Sequence, residues 1–339
     1  MHLYRFLLLG LLTSAWAVTL LPAQSLDLTV NNAGISIGDS ERIDGIRLNF
    51  RDRRLVRVNG INVTVWSPPD SATSVVNGLA LGVLATGAGD IHGIGLGTLG
   101  VGTLRSFAGI GIGGLGVGAG GTFTGIAVGG LGVGSGEGFD GIGIGGLGIG
   151  SGGPVRGIIV GGLGVGTGDV LTGIAIGGLG VGVGGDVKGV TIGGIGVGTG
   201  GEVRGIAIGG IGVGTGQGAA GLVISGFALG TGGTLKGVGI AGFAAGVHAL
   251  RGVLIAGGAA GGNDLAGLVI APGYFRVDGP GEMRGVSISA FNHVKGRQNG
   301  LSIGILNMAE SLSGVQLGVL NFAGNNRGWR RWLPVVNWH

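Results

Sequence analysis

Two serines stand where a hydrolase would place a nucleophile: Gly34–Gly38 reads GISIG and Gly300–Gly304 reads GLSIG, both G-x-S-x-G. In such an elbow the serine tops a tight turn from strand into helix, which presents its hydroxyl to a histidine base. Neither Ser36 nor Ser302 precedes a helical pattern. Each falls at the third position of a repeat whose other copies carry Ala127, Ala175 or Thr191 there. They are therefore expected to be repeat positions, not nucleophiles.

The remaining candidates for chemistry thin out in the same way. G-x-G-x-x-G strings recur by chance in a chain with 90 glycines among 339 residues, and no G-x-x-x-x-G-K-[ST] loop occurs. The run Gly161–Gly166, GGLGVG, has glycine where a calcium-binding nonapeptide needs aspartate. His92, His248, His293 and His339 are far apart, and Asp140, Asp169, Asp186 and Glu202 drift between the thirteenth and sixteenth positions of their units, as solvated turn residues would. With no cysteine to complete a cluster, no catalytic, cofactor-binding or metal residue is expected.

One polar column has the regularity of an interaction ladder. Ser135, Ser151, Thr167, Thr199, Thr215 and Thr231 share the eleventh position, interrupted by Val183 and preceded by Ala119. Stacked hydroxyls could order water or contact a glycan or ice; the competing reading is turn chemistry between glycines, where Ser and Thr are favoured.

All these residues are carried by one periodic framework. Units open with Gly, aliphatic, any residue, aliphatic, and nine consecutive steps from Gly93 to Gly237 are sixteen residues each. The flanking steps, back to Gly34 and on to Gly314, run from eleven to eighteen. A unit this short cannot bury a core alone, so the copies must stack. In the unit Gly189–Arg204 the apolar residues are Val190, Ile192, Ile195, Val197 and Val203. The two-residue strand period joins the first two, and Ile195 breaks it at Gly193–Gly194. A corner there, with a second turn at Gly198 and Gly200, is expected to bring all five side chains inward.

The expected fold is thus all-β: a Gly-rich β-solenoid of about 16-residue coils, on the order of 90 Å long at ~4.8 Å per coil. The alternative is an outer-membrane antiparallel β-barrel with one strand of about ten residues per unit. The phase break, the uniform turns and the recurrence of equivalent residues at every unit weigh against it. Collagen is excluded by the spacing of glycine and by only 7 prolines.

Composition and the chain ends bound the setting. Arg5, the apolar run Phe6–Ala17 and the small residue Ala23 read as a secretory signal peptide over residues 1–23. Residues 24–59 concentrate charge in two early units, including Glu41, Arg42, Asp44, Arg47 and Asp52, and are expected to cap the repeats of residues 60–324. Residues 325–339, with Arg327, Trp329, Arg330, Arg331, Trp332 and Trp338, are expected to lie as a lid on the final coil. A net charge of +4, with basic residues mostly near the ends, argues against a nucleic-acid partner.

Near the C-terminus Asn292, Asn307 and Asn321 share the eighth position, where a short internal ladder is expected. The segments GLSIGILNMAESLS from Gly300 and GVQLGVLNFAGNN from Gly314 resemble the G-V-Q-I-G-L-x-N-x-A units of a bacterial surface-repeat family of leptospiral type. The resemblance is closest over Gly285–Asn326 and implies an exported protein of the cell surface or outer membrane, without catalytic residues. Together these readings describe an exported, non-enzymatic surface scaffold or interaction rod, with a cell-surface, glycan or protein partner and no cofactor.

Overall fold

A computed structural model describes residues 25–67 and 72–339; the expected signal peptide lies outside the described residues. The chain winds as a parallel β-solenoid, not as an antiparallel barrel. In the centre each coil contributes a long strand such as Glu202–Gly209 and a short one such as Gly212–Thr215. Each pairs in parallel with its equivalent one repeat on, Gly205 with Gly221 and Val213 with Leu229. From Ala228 onward the two strands of a coil merge across the second turn, as in Ala228–Ala241 and Ala244–Ala256. Irregular steps are absorbed locally: Gly267 pairs with Gly285, and the extra residues leave the ladder between Val277 and Glu282.

Glycine makes the close stacking of coils possible inside the long strands. Every repeat start from Gly34 to Gly314 has a positive φ, between 120° and 152°. A Cβ built on Gly141 would lie 1.9 Å from the carbonyl oxygen of Gly125 in the preceding coil. Gly141 lies inside the strand Gly138–Gly145, and at its positive φ a Cβ would point into the preceding coil, so only glycine lets neighbouring coils keep their hydrogen-bonding distance. The expected corner at Gly193–Gly194 is present: one strand ends at Gly193 and the next begins at Gly196. The second turn follows Thr199, at Gly200; Gly198 lies inside the short strand.

The side chains that fill the rod are not the five expected. Val197 and Val203 are buried, but Val190 and Ile192 are only half-buried and Ile195 is exposed. The reason is strand phase. Val187–Gly193 is one continuous strand, so Val187 and Thr191 share the inner face and Val190 and Ile192 the outer one. Reading aliphatic as inward applied a one-way rule in the wrong direction.

The true core pairs the third and fifteenth positions by volume. Phe107, Phe123 and Phe139 stack with centroids 4.7 and 5.1 Å apart, and the third positions beside them are Gly111, Ala127 and Gly143. A Cβ on Gly111 would meet Val117 at 2.9 Å and the Phe107 ring at 3.3 Å. One coil further on, Val155 replaces the phenylalanine and Ile159 fills the space. In these four coils a large residue at one position is matched by a small one at the other, as close packing requires.

Both ladders end on an antiparallel strand. Leu26–Val30 folds back on Ala33–Ile37 through Asn31 and Asn32, whose φ values of 51° and 66° suit a tight hairpin turn. At the other end Trp332–Trp338 pairs antiparallel with the last coil from Val315 to Phe322. At the N-terminal end the charged units do more than coat the surface: Arg47 occupies a third position and is fully buried.

Candidate functional surface

The solenoid turns three unlike faces to solvent. The first is built by the second and fourth positions of every repeat. From Ile35 to Leu317 these are Ile, Val or Leu without exception, and none is buried. Ile142, Ile144 and Ile158 are 41, 46 and 42% exposed, which is high for side chains flanked on both sides by Ile or Val one coil away. The corner column at the seventh position continues this surface with Leu99, Leu115, Leu131, Leu147, Leu163 and Leu179, followed by Ile195, Ile211, Phe227 and Phe243.

Backbone bonding holds that corner rigid. Leu131 N–H donates to the Leu115 carbonyl at 2.7 Å and Leu147 N–H to Leu131 at 2.6 Å, at the short end for amide bonds. Phe227 and Phe243 stack at 5.1 Å in the same column. The result is a flat aliphatic wall with no polar side chain in its second and fourth columns.

The second face is bare peptide. Gly134, Gly150, Gly166, Gly182, Gly198 and Gly214 point outward from the short strands, and a Cβ on any of them would meet nothing within 4 Å. Trp66, paired in register with Ala85 and through it with Gly100 one coil further, stands at one end of this face, and Tyr274 with Arg276 replaces the small residues at the other. Tyr274 Oη lies 3.2 Å from His293 Nδ1, and the His293 ring stacks on Phe291 at 5.5 Å. Burial, then the charges of Lys295 and Arg276, hold the His293 imidazole below its ordinary pKa, against the opposing pull of Glu310 and Asp278.

The third face carries charge of both signs at the sixteenth position and just before it. Arg204 bonds Glu202 at 2.7 Å and lies 3.8 Å from Asp186, and Arg284 bonds Glu282 at 2.8 Å. Asp90, nearer the N-terminus, is drawn both ways: burial raises its pKa, but the side-chain and backbone donors of Ser106 and the Arg105 guanidinium outweigh burial and lower it.

The hydroxyl column of Ser135, Ser151, Thr167, Thr199, Thr215 and Thr231 lies inside the rod, each residue 6–8% exposed. Ser135 donates to Ser151 at 3.0 Å, Thr167 to the Gly153 carbonyl at 2.7 Å and Thr231 to the Gly233 carbonyl at 3.1 Å. The column faces inward, away from water, glycan or ice: Ser151, Thr167, Thr199 and Thr231 bond turn carbonyls, and Thr215 Oγ1 has no hydrogen-bond partner among the described residues. The same strand alternation that exposes the aliphatic residues buries these.

Ser36 and Ser302 are likewise fully buried in strands. Ser36 Oγ is 2.5 Å from Asp27 Oδ1 and 2.6 Å from Ser40 Oγ, and Ser302 Oγ is 2.7 Å from Ser287 Oγ. The asparagine ladder forms as expected: Asn292 donates to Asn307 and Asn307 to Asn321, both at 2.7 Å. Among the described residues no group of three His, Asp or Glu side chains is placed to hold a metal ion.

Two features escaped the sequence reading, the aliphatic wall and the buried Arg47 network. A signal for the wall existed. The third position varies from Gly to Arg while the second and fourth never leave Ile, Val and Leu, and from Phe107 to Ile159 its volume runs opposite to that of the fifteenth. Compensating volumes mark a shared core; uniform ones mark a surface built to one height. Comparison of the chain with protein-family models, curated proteins and solved structures found no match.

Proposed function

We propose that this chain is an exported, non-enzymatic rod that acts at the cell surface or outer membrane by presenting its aliphatic wall to a protein partner. The observation that carries the reading is the unbroken outward run of Ile, Val and Leu from Ile35 to Leu317. Folded monomers rarely expose contiguous apolar patches beyond a few hundred Å², and larger ones mark interaction sites. Export is supported by the apolar leader and by the resemblance of Gly285–Asn326 to bacterial surface repeats. A stacked architecture suits this work, because each added coil lengthens the wall without altering its profile.

The test is cell fractionation with surface protease treatment. The reading expects a processed chain in the envelope fraction, cleaved near Ala23 and accessible from outside. An unprocessed chain retained in the cytosol would overturn it.

A further inference from the structure

We infer that the partner of the aliphatic wall is a second copy of this chain, the two rods packing wall against wall. The inference rests on the reading of the wall as a docking surface and adds its occupant. Size is the first argument. Four residues across the wall at about 3.3 Å each and the nineteen coils from Gly34 to Gly314 at about 4.8 Å each give on the order of 1,200 Å² per rod. A stable interface takes about 800 Å² from each partner, and permanent homodimers bury more and are more apolar.

Chemistry and shape point the same way. A wall of one height, made of Ile, Val and Leu, has no polar group that a wet, transient interface would use. Its ridges repeat at the coil spacing, and a second copy carries the same ridges at the same spacing. Two such sheets interdigitate face to face at about 10 Å.

The make-up of the wall itself does not suit a lipid surface. Interfacial faces carry Trp and Tyr at headgroup level, whereas from Ile94 to Ile270 the wall's only aromatics are Phe227 and Phe243.

The experiment is analytical ultracentrifugation of the processed protein in detergent-free buffer, with circular dichroism on each variant. The wild type is expected at twice the chain mass. A triple variant, Ile126→Glu, Ile142→Glu and Ile158→Glu, is expected at the single mass with its β signal kept. Gly134→Ser, on the bare face, is expected to remain a dimer. Because the chain has no cysteine, Ile144→Cys gives a second reading that does not depend on the triple variant folding. Its alkylation is expected to be several-fold slower in the dimer than after dilution to the single mass.

A monomeric wild type, a dimeric triple variant that has kept its fold, or flotation of single chains with phosphatidylethanolamine–phosphatidylglycerol vesicles would overturn the inference. None of these results bears on processing or location, which decide the broader reading separately.

Discussion

The central coils and the terminal coils share one backbone path and differ in what fills it. Between Phe107 and Val223 the interior is aromatic and aliphatic, relieved by the inward hydroxyls of the turn. At the N-terminal end it holds Arg47, bonded to Asp52, to Asp39 at 2.9 Å, to Asn62 at 3.0 Å and to the Ser40 carbonyl at 2.9 Å. At the C-terminal end it holds the Asn292–Asn307–Asn321 ladder and Gln316 bonded to Gln298 at 3.0 Å. An aliphatic interior accepts the next coil in any copy, so it propagates; a polar interior is satisfied by one set of partners, so it fixes where stacking begins and ends. The wall crosses this boundary unchanged. Its columns are as aliphatic over the polar ends as over the apolar centre, which ties them to the outer surface and not to the core.

The sharpest way to break the centre is through the glycines that open its repeats. Gly141→Ala adds a Cβ 1.9 Å from a backbone oxygen at a φ of 136°, and is expected to cost about 4 kcal/mol or more. In the same coil Gly150→Ala enters open space and is expected to change stability by less than about 0.5 kcal/mol. Denaturant titration of the pair checks both.

The ends are expected to break differently. Arg47→Ala strands the Asp39 and Asp52 carboxylates inside the first coils, at about 3–5 kcal/mol. Because each coil touches only its neighbours, lost amide protection in hydrogen exchange should be confined to the N-terminal coils. Asn307→Ala leaves the side chains of Asn292 and Asn321 short of a partner, at about 1–3 kcal/mol, with protection lost only near the C-terminus.

The smallest effect is a pH dependence. His293 titrates below its ordinary value of 6.5 in the fold, so the unfolded chain binds the proton first as pH falls. Its contribution is full above pH 6.5 and is lost as pH drops through the lowered value. His293→Gln is expected to flatten that part of the stability–pH curve, measured by thermal melts across mildly acidic buffers.

How much was legible follows from which residues carry redundant information. The sixteen-residue step, the corner at Gly193–Gly194, the glycine at every repeat start and the Asn292–Asn307–Asn321 ladder are each written many times or in series, and the structure has them all. The facing of Val190 and Ile192 was not legible from their type, since period-two alternation leaves two choices of inner face and hydropathy favours the wrong one. Thr167 and Ser151 were misplaced with them, because one choice of phase decides both. The Arg47 network lay beyond reach for another reason: its partners come from three separate turns, and a charged residue in sequence is by default a solvated one.

Two substitutions in one unit decide which aliphatic residues are core and which are surface. Val197→Asp and Ile192→Asp should be compared by hydrogen exchange across the neighbouring coils. The account expects Val197→Asp to strip amide protection from several coils, because it buries an unpaired charge, and Ile192→Asp to keep the rod folded and protected. Loss of protection with Ile192→Asp, and its retention with Val197→Asp, would contradict it.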